Sequence, residues 1–276
     1  MKLSVIFINH NSRNGLKLAL NTLLSGSAGI DYEVIVIDNG STDRSLEMLA
    51  FEFPSVRIIS NAAYEGVSRV CNKAINAARG KYVLLLSPYI LASADSLKKL
   101  VTFMDEHPLT GGASARIVNY KGDYLSESKH SMGKAWAAFL KLIGMGACFP
   151  RSISAYKRGD WVEEFETSEV DVLHEDCMLL RRSAIEKTGL FDERFRHYGH
   201  NIDLSCRLRQ KGFKTYYYSK TYIIQLPGKA VNKFSWEYIS QFYGAMFIFA
   251  AKYLFKLPVI NVETIGEILP SSYEIE

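Results

Sequence analysis

The chain alternates short apolar runs with amphipathic ones. Leu3 to Ile8 and Glu33 to Ile37 are nearly continuous apolar stretches, rich in β-branched residues and ending in polar ones, which predicts strands buried on both faces. Between them, Leu16-Lys17-Leu18-Ala19-Leu20-Asn21-Thr22-Leu23-Leu24 spaces its leucines along one face of a helix. Ser41-Thr42-Asp43 predicts the cap of a helix through Leu46 to Leu49. Val56 to Ser60 reads as a third strand, Val70 to Ala78 as a helix closed by Gly80, and Tyr82 to Leu86 as a fourth buried strand. Leu97 to Met104 reads as a helix capped by Asp95. This alternation predicts an α/β domain with a doubly wound, mostly parallel sheet, whose ligand lies beyond the carboxyl ends of the strands.

From Gly111 to Val170 the pattern is irregular, punctuated by Trp136, Gly144-Met145-Gly146 and Trp161, and it reads as an insertion. Order returns with Cys177 to Leu180, a helix from Ser183 to Thr188 stopped by Gly189, a helix from Leu204 to Lys211 closed by Gly212, and a strand from Lys214 to Tyr218. Beyond Pro227-Gly228 the chain turns helical, but the apolar stretch Phe242 to Ala251 is shorter than the ~20 residues a spanning helix needs. The expected organisation is one domain over 1–230, in halves 1–110 and 111–230, with a helical extension over 231–276.

Composition narrows the class. With 276 residues, 48% apolar and 22% charged, the chain can bury a sizeable core, which excludes disorder. A net charge of +4 is too mild to demand nucleic acid, and none is expected as a partner. Four cysteines without C-x-x-C spacing give neither a zinc knuckle nor a disulfide framework, which fits a reducing cytoplasm. The first apolar run is too short for a signal peptide.

Three stretches carry recognisable chemistry. Val36-Ile37-Asp38-Asn39-Gly40-Ser41-Thr42-Asp43 reads V-I-D-N-G-S-T-D. Gly66-Val67-Ser68-Arg69-Val70-Cys71-Asn72-Lys73-Ala74-Ile75 is close to G-F-S-x-A-x-N-x-G-I. Phe191 to Leu204 follows F-D-E-x-F-x-x-Y-x-E-D-x-D-L except at its E-D pair. Over about residues 1 to 230 the chain therefore resembles the inverting family 2 glycosyltransferases of the GT-A fold, rhamnosyltransferases among them. The resemblance implies transfer of a sugar from a nucleotide-sugar donor to a glycan or lipid-linked acceptor in surface polysaccharide synthesis. It implies nucleotide contacts from Asp38 and Asn39, from Asn9 and Asn11 after the first strand, and from Asn72. A carboxylate at a strand end suits this role, since it accepts hydrogen bonds from ring N–H or ribose hydroxyl groups. The alternative for Asp38, Ser41 and Asp43 is turn shaping and helix capping.

The family's acidic positions are substituted. Ser87-Pro88-Tyr89 stands where the family carries N-P-D or D-x-D, Ile223-Ile224-Gln225 where it carries I-x-H, and His200-Asn201 where it carries the catalytic E-D. Hard divalent cations need oxygen ligands, so no cofactor and no tightly bound metal is expected. Asn201 cannot take a proton, which leaves Asp203 and the pair Glu175 and Asp176, set where the family has small residues, as candidate catalytic groups. Two alternatives stay open: Glu175 and Asp176 form an ion network with Arg181, Arg182 or His200, or the protein is a silent relative that binds a partner. Arg194, Arg196, Arg207 and Arg209 are candidates for neutralising a diphosphate without metal. Aromatic residues from Trp236 to Phe255, with Lys233, Lys252 and Lys256, suit a peripheral contact with the inner face of the membrane, a homodimer face, or packing against the domain.

Overall fold

Four of the expected strands lie side by side and parallel, and each of the first three is followed by a helix that crosses one face of the sheet. They are β1 (Leu3–Asn9), β2 (Tyr32–Asn39), β3 (Arg57–Asn61) and β4 (Tyr82–Leu86), with helices α1 (Arg13–Leu24), α2 (Ser45–Glu52) and α3 (Val67–Ala77) between them. The computed structural model describes residues 1–26, 29–129, 131–158, 164–228 and 232–254, the side chains of 155–158 excepted. Trp161, Phe255 and Lys256, singled out above, lie outside the described residues.

The second half adds β5 (Ile90–Leu91), α4 (Ala94–Glu106), β6 (Thr110–Asn119), α5 (Lys134–Leu142), α6 (Pro150–Arg158), β7 (Ser168–Glu169), β8 (Cys177–Arg181), α7 (Arg182–Thr188), α8 (His200–Gln210), β9 (Lys214–Gln225) and α9 (Trp236–Leu254). The strand order is β3-β2-β1-β4-β8-β6-β9-β5, with β7 beside β9. β8 runs antiparallel to both β4 and β6, while β6 and β9 are parallel. β8 thus joins the amino-terminal strands to the later ones.

The apolar runs are explained by burial on two faces. Val5 and Phe7 pack with Leu16, Leu20 and Leu100 on one side of the sheet, and Ile6 packs with Val70, Ile75, Leu204 and Leu208 on the other. A third cluster has no sheet in it: Trp136, Leu140, Phe149, Phe195, Ile202 and Phe249 join α5, α8 and α9. Docking of α9 is reinforced by ion pairs, as Lys252 Nζ lies 2.9 Å from Asp192 Oδ2 and 2.7 Å from Asp203 Oδ1. Among the described residues no helix is long and apolar enough to cross a membrane.

Four expectations need correction. The expected irregular stretch after Gly111 holds the ten-residue strand β6. Its Gly and Ala residues hide the strand pattern, yet a Cβ on Gly111 would lie 2.8 Å from Phe213 Cβ, so the packing leaves little room for a side chain there. Helix α4 is capped by Ser93, whose Oγ accepts from Ser96 N at 3.1 Å; Asp95 sits in the first turn and pairs with Lys99 at 2.8 Å. Helix α2 begins at Ser45, after Arg44 in the left-handed region, with Asp43 accepting from both the backbone N–H and hydroxyl of Ser45. Helix α8 begins at His200, four residues before Leu204, because Gly199 turns the chain at φ +81° where an added Cβ would press on Trp136 at 3.0 Å.

Removing the ring of Phe249 from the third cluster by Phe249→Ala is expected to cost about 3–5 kcal/mol. Urea unfolding followed by circular dichroism checks the value.

Candidate functional site

The site is built at the carboxyl ends of β1, β2 and β4, where the strands stop and their polar followers cluster. Asn9 and Asp38 are partners in the β1–β2 register. Asn9 Nδ2 donates to Asp38 Oδ1 at 2.8 Å and to Ser41 Oγ at 3.1 Å, while Asp38 Oδ2 accepts from Ser41 N at 3.0 Å. Asn11 joins the group, its Oδ1 accepting from Thr42 N at 2.7 Å. Asn39 Oδ1 accepts from Glu65 N at 2.9 Å and its Nδ2 donates to Glu65 O at 2.8 Å, which fixes the loop before α3. Gly40 permits the turn, with φ +71° and the Ala63 backbone where a Cβ would stand.

Four of the five nucleotide candidates are thus gathered, with Asp38 only 1% exposed and Asn9 Oδ1 buried without a partner among the described residues. Asn72 is apart from them. Its amide brackets Phe191, donating to the carbonyl at 2.9 Å and accepting from the N–H at 2.9 Å, so it ties α3 to the loop before α8.

Beside this cluster opens a cleft of about 250 Å³, with Ile8, Leu86 and Ser87 from the strand ends, Glu175 and Asp176 from the start of β8, and His197 and His200 from the α8 side. The β4–β8 register pairs Leu86 with Cys177, which sets Asp176 against Ser87; Ser87 N donates to Asp176 O at 3.0 Å. Gln225 Nε2 donates to Asp176 Oδ2 at 2.9 Å. The two carboxylates therefore stand at the end of β4. Tyr64 bridges the rim, edge-on to the His10 ring at 4.7 Å between centroids and stacked on His197 at 5.7 Å.

Glu175 is exposed to solvent at the mouth of the cleft, with the protein crowding one side of its carboxyl. This crowding, with a smaller push from the charge of Asp176, raises its carboxyl to about 7. Burial lowers His200 to about 4, opposed by Asp203, so the ring is neutral at physiological pH; its Nδ1 is buried without a partner. The expected ion network does not form with the arginines. Arg181 donates to Thr110 O, Met104 O and His107 O, and Arg182 to Gly80 O and Ala78 O, all at the opposite end of the sheet.

Asp203 lies outside the residues lining the cleft. Its Oδ2 accepts from Arg207 Nε at 2.9 Å, and its Oδ1 accepts from Tyr253 Oη at 3.0 Å and Lys252 at 2.7 Å. Asn201 Nδ2 donates to Leu173 O at 3.0 Å. Three of the four arginines are also engaged: Arg194 with Asp192, Arg207 with Asp203, and Arg209 with Asp171. A divalent cation fits the donors poorly. Ser87, Tyr89 and Gln225 stand where the resemblance implies its ligands, and among the described residues no three His, Cys, Asp or Glu side chains are grouped to hold one.

A mixed sheet with a nucleotide-type crevice at its switch point and carboxylates at the neighbouring strand ends is the GT-A arrangement of sugar-nucleotide transferases. Residues 4–189 match the profile of Glycosyl transferase family 2, and the chain belongs to that family. It is 24% identical over 234 residues to the N-acetylglucosaminyl-diphospho-decaprenol L-rhamnosyltransferase of Mycobacterium tuberculosis, covering 79% of this chain and 74% of that protein. Among solved structures it is similar to Staphylococcus aureus TarS residues 1–349 in complex with UDP, at 17% identity and a TM-score of 0.62, covering 92% of this chain and 66% of that one. A mannosyltransferase from Pyrobaculum calidifontis in complex with GDP-Man and Mn²⁺ is also similar, at 16% identity and a TM-score of 0.56, covering 91% of this chain and 64% of that one. At these identities the solved structures establish the fold.

Sequence reasoning missed His197 and the contact of Gln225 with Asp176. His197 and Tyr64 are 133 positions apart, and no local signal links them.

Asp203→Ala leaves Arg207 and Lys252 facing an empty buried position, so it is expected to destabilise the fold by about 3–5 kcal/mol in urea unfolding. The His200 ring is expected to stay neutral between pH 5 and 8 in NMR titrations. Its depressed folded value makes the fold lose stability as pH falls from about 6.5 toward 4, an arm that His200→Gln removes.

Proposed function

We propose that the chain is an inverting glycosyltransferase that moves a sugar from a nucleotide-sugar donor to a hydroxyl of a lipid-linked glycan in surface polysaccharide assembly, with Glu175 as general base. The observation that carries this reading is the Glu175 carboxyl, which lines the cleft at the strand ends beside Asp176 and is raised to about 7. A base with its pKa near working pH combines a populated ionised form with useful driving force. Asp176, held by Gln225, keeps that value high by repulsion and orients the segment.

In the proposed reaction the acceptor oxygen attacks the anomeric carbon as the bond from that carbon to the diphosphate oxygen breaks. The hydroxyl proton passes to Glu175, and the nucleoside diphosphate leaves from the opposite face. The nucleotide lies over Asn9, Asn11, Asp38 and Asn39, where the unpartnered Asn9 Oδ1 suits a ring N–H donor. Tyr64 flanks the base. The acceptor class follows the similarity to the mycobacterial rhamnosyltransferase, whose name specifies a diphospho-decaprenol acceptor. The donor set favours a reaction without a tightly bound divalent cation, neutral donors and helix ends taking up the diphosphate charge instead.

Glu175→Gln keeps the shape of the side chain and is expected to lower kcat about 10²- to 10⁴-fold without weakening nucleotide binding. The pH profile of kcat/KM is expected to rise through about 7, because the base acts only when ionised. The same raised value makes the fold lose stability as pH climbs from the ordinary glutamate range to about 7, and Glu175→Gln abolishes that slope. Turnover is expected to persist in excess EDTA; loss of turnover restored by Mn²⁺ refutes the metal-free reading.

A further inference from the structure

A second cleft, of about 200 Å³, runs between the loop Arg194 to Tyr198 and helix α9. His197 lines both clefts, so they meet at its ring. Glu175 is close enough for its charge to raise Tyr198 on the loop and Tyr238 on α9, each already raised by burial. A molecule extending from the second cleft past His197 enters the cleft that Glu175 lines.

Three features define what fits there. The first is Arg196, exposed on the cleft wall and, among the described residues, without a carboxylate partner, whereas neighbouring Arg194 is held by Asp192 at 2.7 Å. The second is Gly244 in the floor: a Cβ added there meets no atom within 4 Å, so the helix offers an open trough. The third is an apolar stripe along α9. Trp236, Tyr243, Phe247 and Leu254 are 81%, 58%, 74% and 47% exposed and recur at spacings that place them on one face. Tyr243 and Phe247 directly precede the cleft residues Gly244 and Ile248, one helical step of about 100° away, so the stripe forms the cleft's outer rim. A free guanidinium beside an open trough that continues into exposed aromatic surface matches a ligand with an anionic head and a long apolar tail.

We infer that the cleft between Arg196 and α9 is the acceptor subsite for a polyprenyl-diphosphate-linked sugar, with the diphosphate at Arg196, the sugar directed past His197 to Glu175, and the lipid leaving along the Tyr243–Phe247 stripe. This rests on the glycosyltransferase reading above. Arg196 lines this cleft and not the donor cleft, which assigns its charge to the acceptor's diphosphate rather than the donor's.

The test uses farnesyl diphosphate as probe, titrated calorimetrically into the full chain with and without saturating UDP. Farnesyl diphosphate is expected to bind in both conditions, while farnesol and inorganic pyrophosphate each bind at least tenfold more weakly. Arg196→Ala is expected to weaken it about ten- to hundredfold, the range for loss of a charge-assisted contact. Gly244→Leu fills the trough and is expected to abolish binding; leucine is a better helix former than glycine, so this variant keeps its fold. UDP affinity is expected to be unchanged in both variants. Displacement of the probe by UDP, undiminished binding in either variant, or equal binding of pyrophosphate alone overturns the assignment. Failure of UDP itself to bind overturns the donor reading instead.

Discussion

The antiparallel pairing of β4 with β8 is the constraint on which the site depends. The parallel strands β3-β2-β1-β4 can form a nucleotide crevice by themselves, but they carry no acid at the end of β4, where Ser87-Pro88-Tyr89 stands. Pairing Leu86 with Cys177 brings Glu175 and Asp176 from 88 or more positions further along the chain to that same edge. The hydrogen bond from Ser87 N to Asp176 O fixes the approach, and the cleft walls then raise the Glu175 carboxyl. The carboxylates at this edge come from a strand neighbour, β8, rather than from β4 itself.

A second constraint is electrostatic. Asp192 and Asp203 are buried, and both are held by Lys252 from α9 as well as by Arg194 and Arg207. Buried carboxylates stripped of such partners are costly, so the loop before α8, the helix itself and α9 hold one arrangement together. Asp203 thus has a structural role, set by its partners Arg207, Lys252 and Tyr253. It also places α9 along the second cleft, where its inward face joins the Trp136 and Phe195 cluster and its outward face carries exposed apolar residues.

The glycosyltransferase reading gains from these two constraints together. The substitutions at Tyr89, Asn201 and Gln225 look like a dismantled centre when taken along the sequence. In space, Gln225 donates to Asp176, Asn201 secures the Leu173 carbonyl just before Glu175, and His200 is neutral beside them. Gln225 thus touches one of the two carboxylates, and Asn201 holds the segment that leads to them.

The sequence by itself determined the strands of the first half, the class of the fold and the polar cluster of Asn9, Asn11, Asp38 and Asn39, because strand burial and strand-end chemistry are written in consecutive residues. It left β6 hidden behind glycine and alanine, and it gave Asn72 a nucleotide role although the structure joins that amide to Phe191. Only the tertiary structure decided which carboxylate faces the cleft. Glu175, Asp176 and Asp203 are chemically equivalent as letters, but hydration and partners separate them: two lie at a partly enclosed cleft, and the third is surrounded by cations and a tyrosine hydroxyl. Proton affinity depends on what surrounds a group in three dimensions, and that information enters only when distant segments pack.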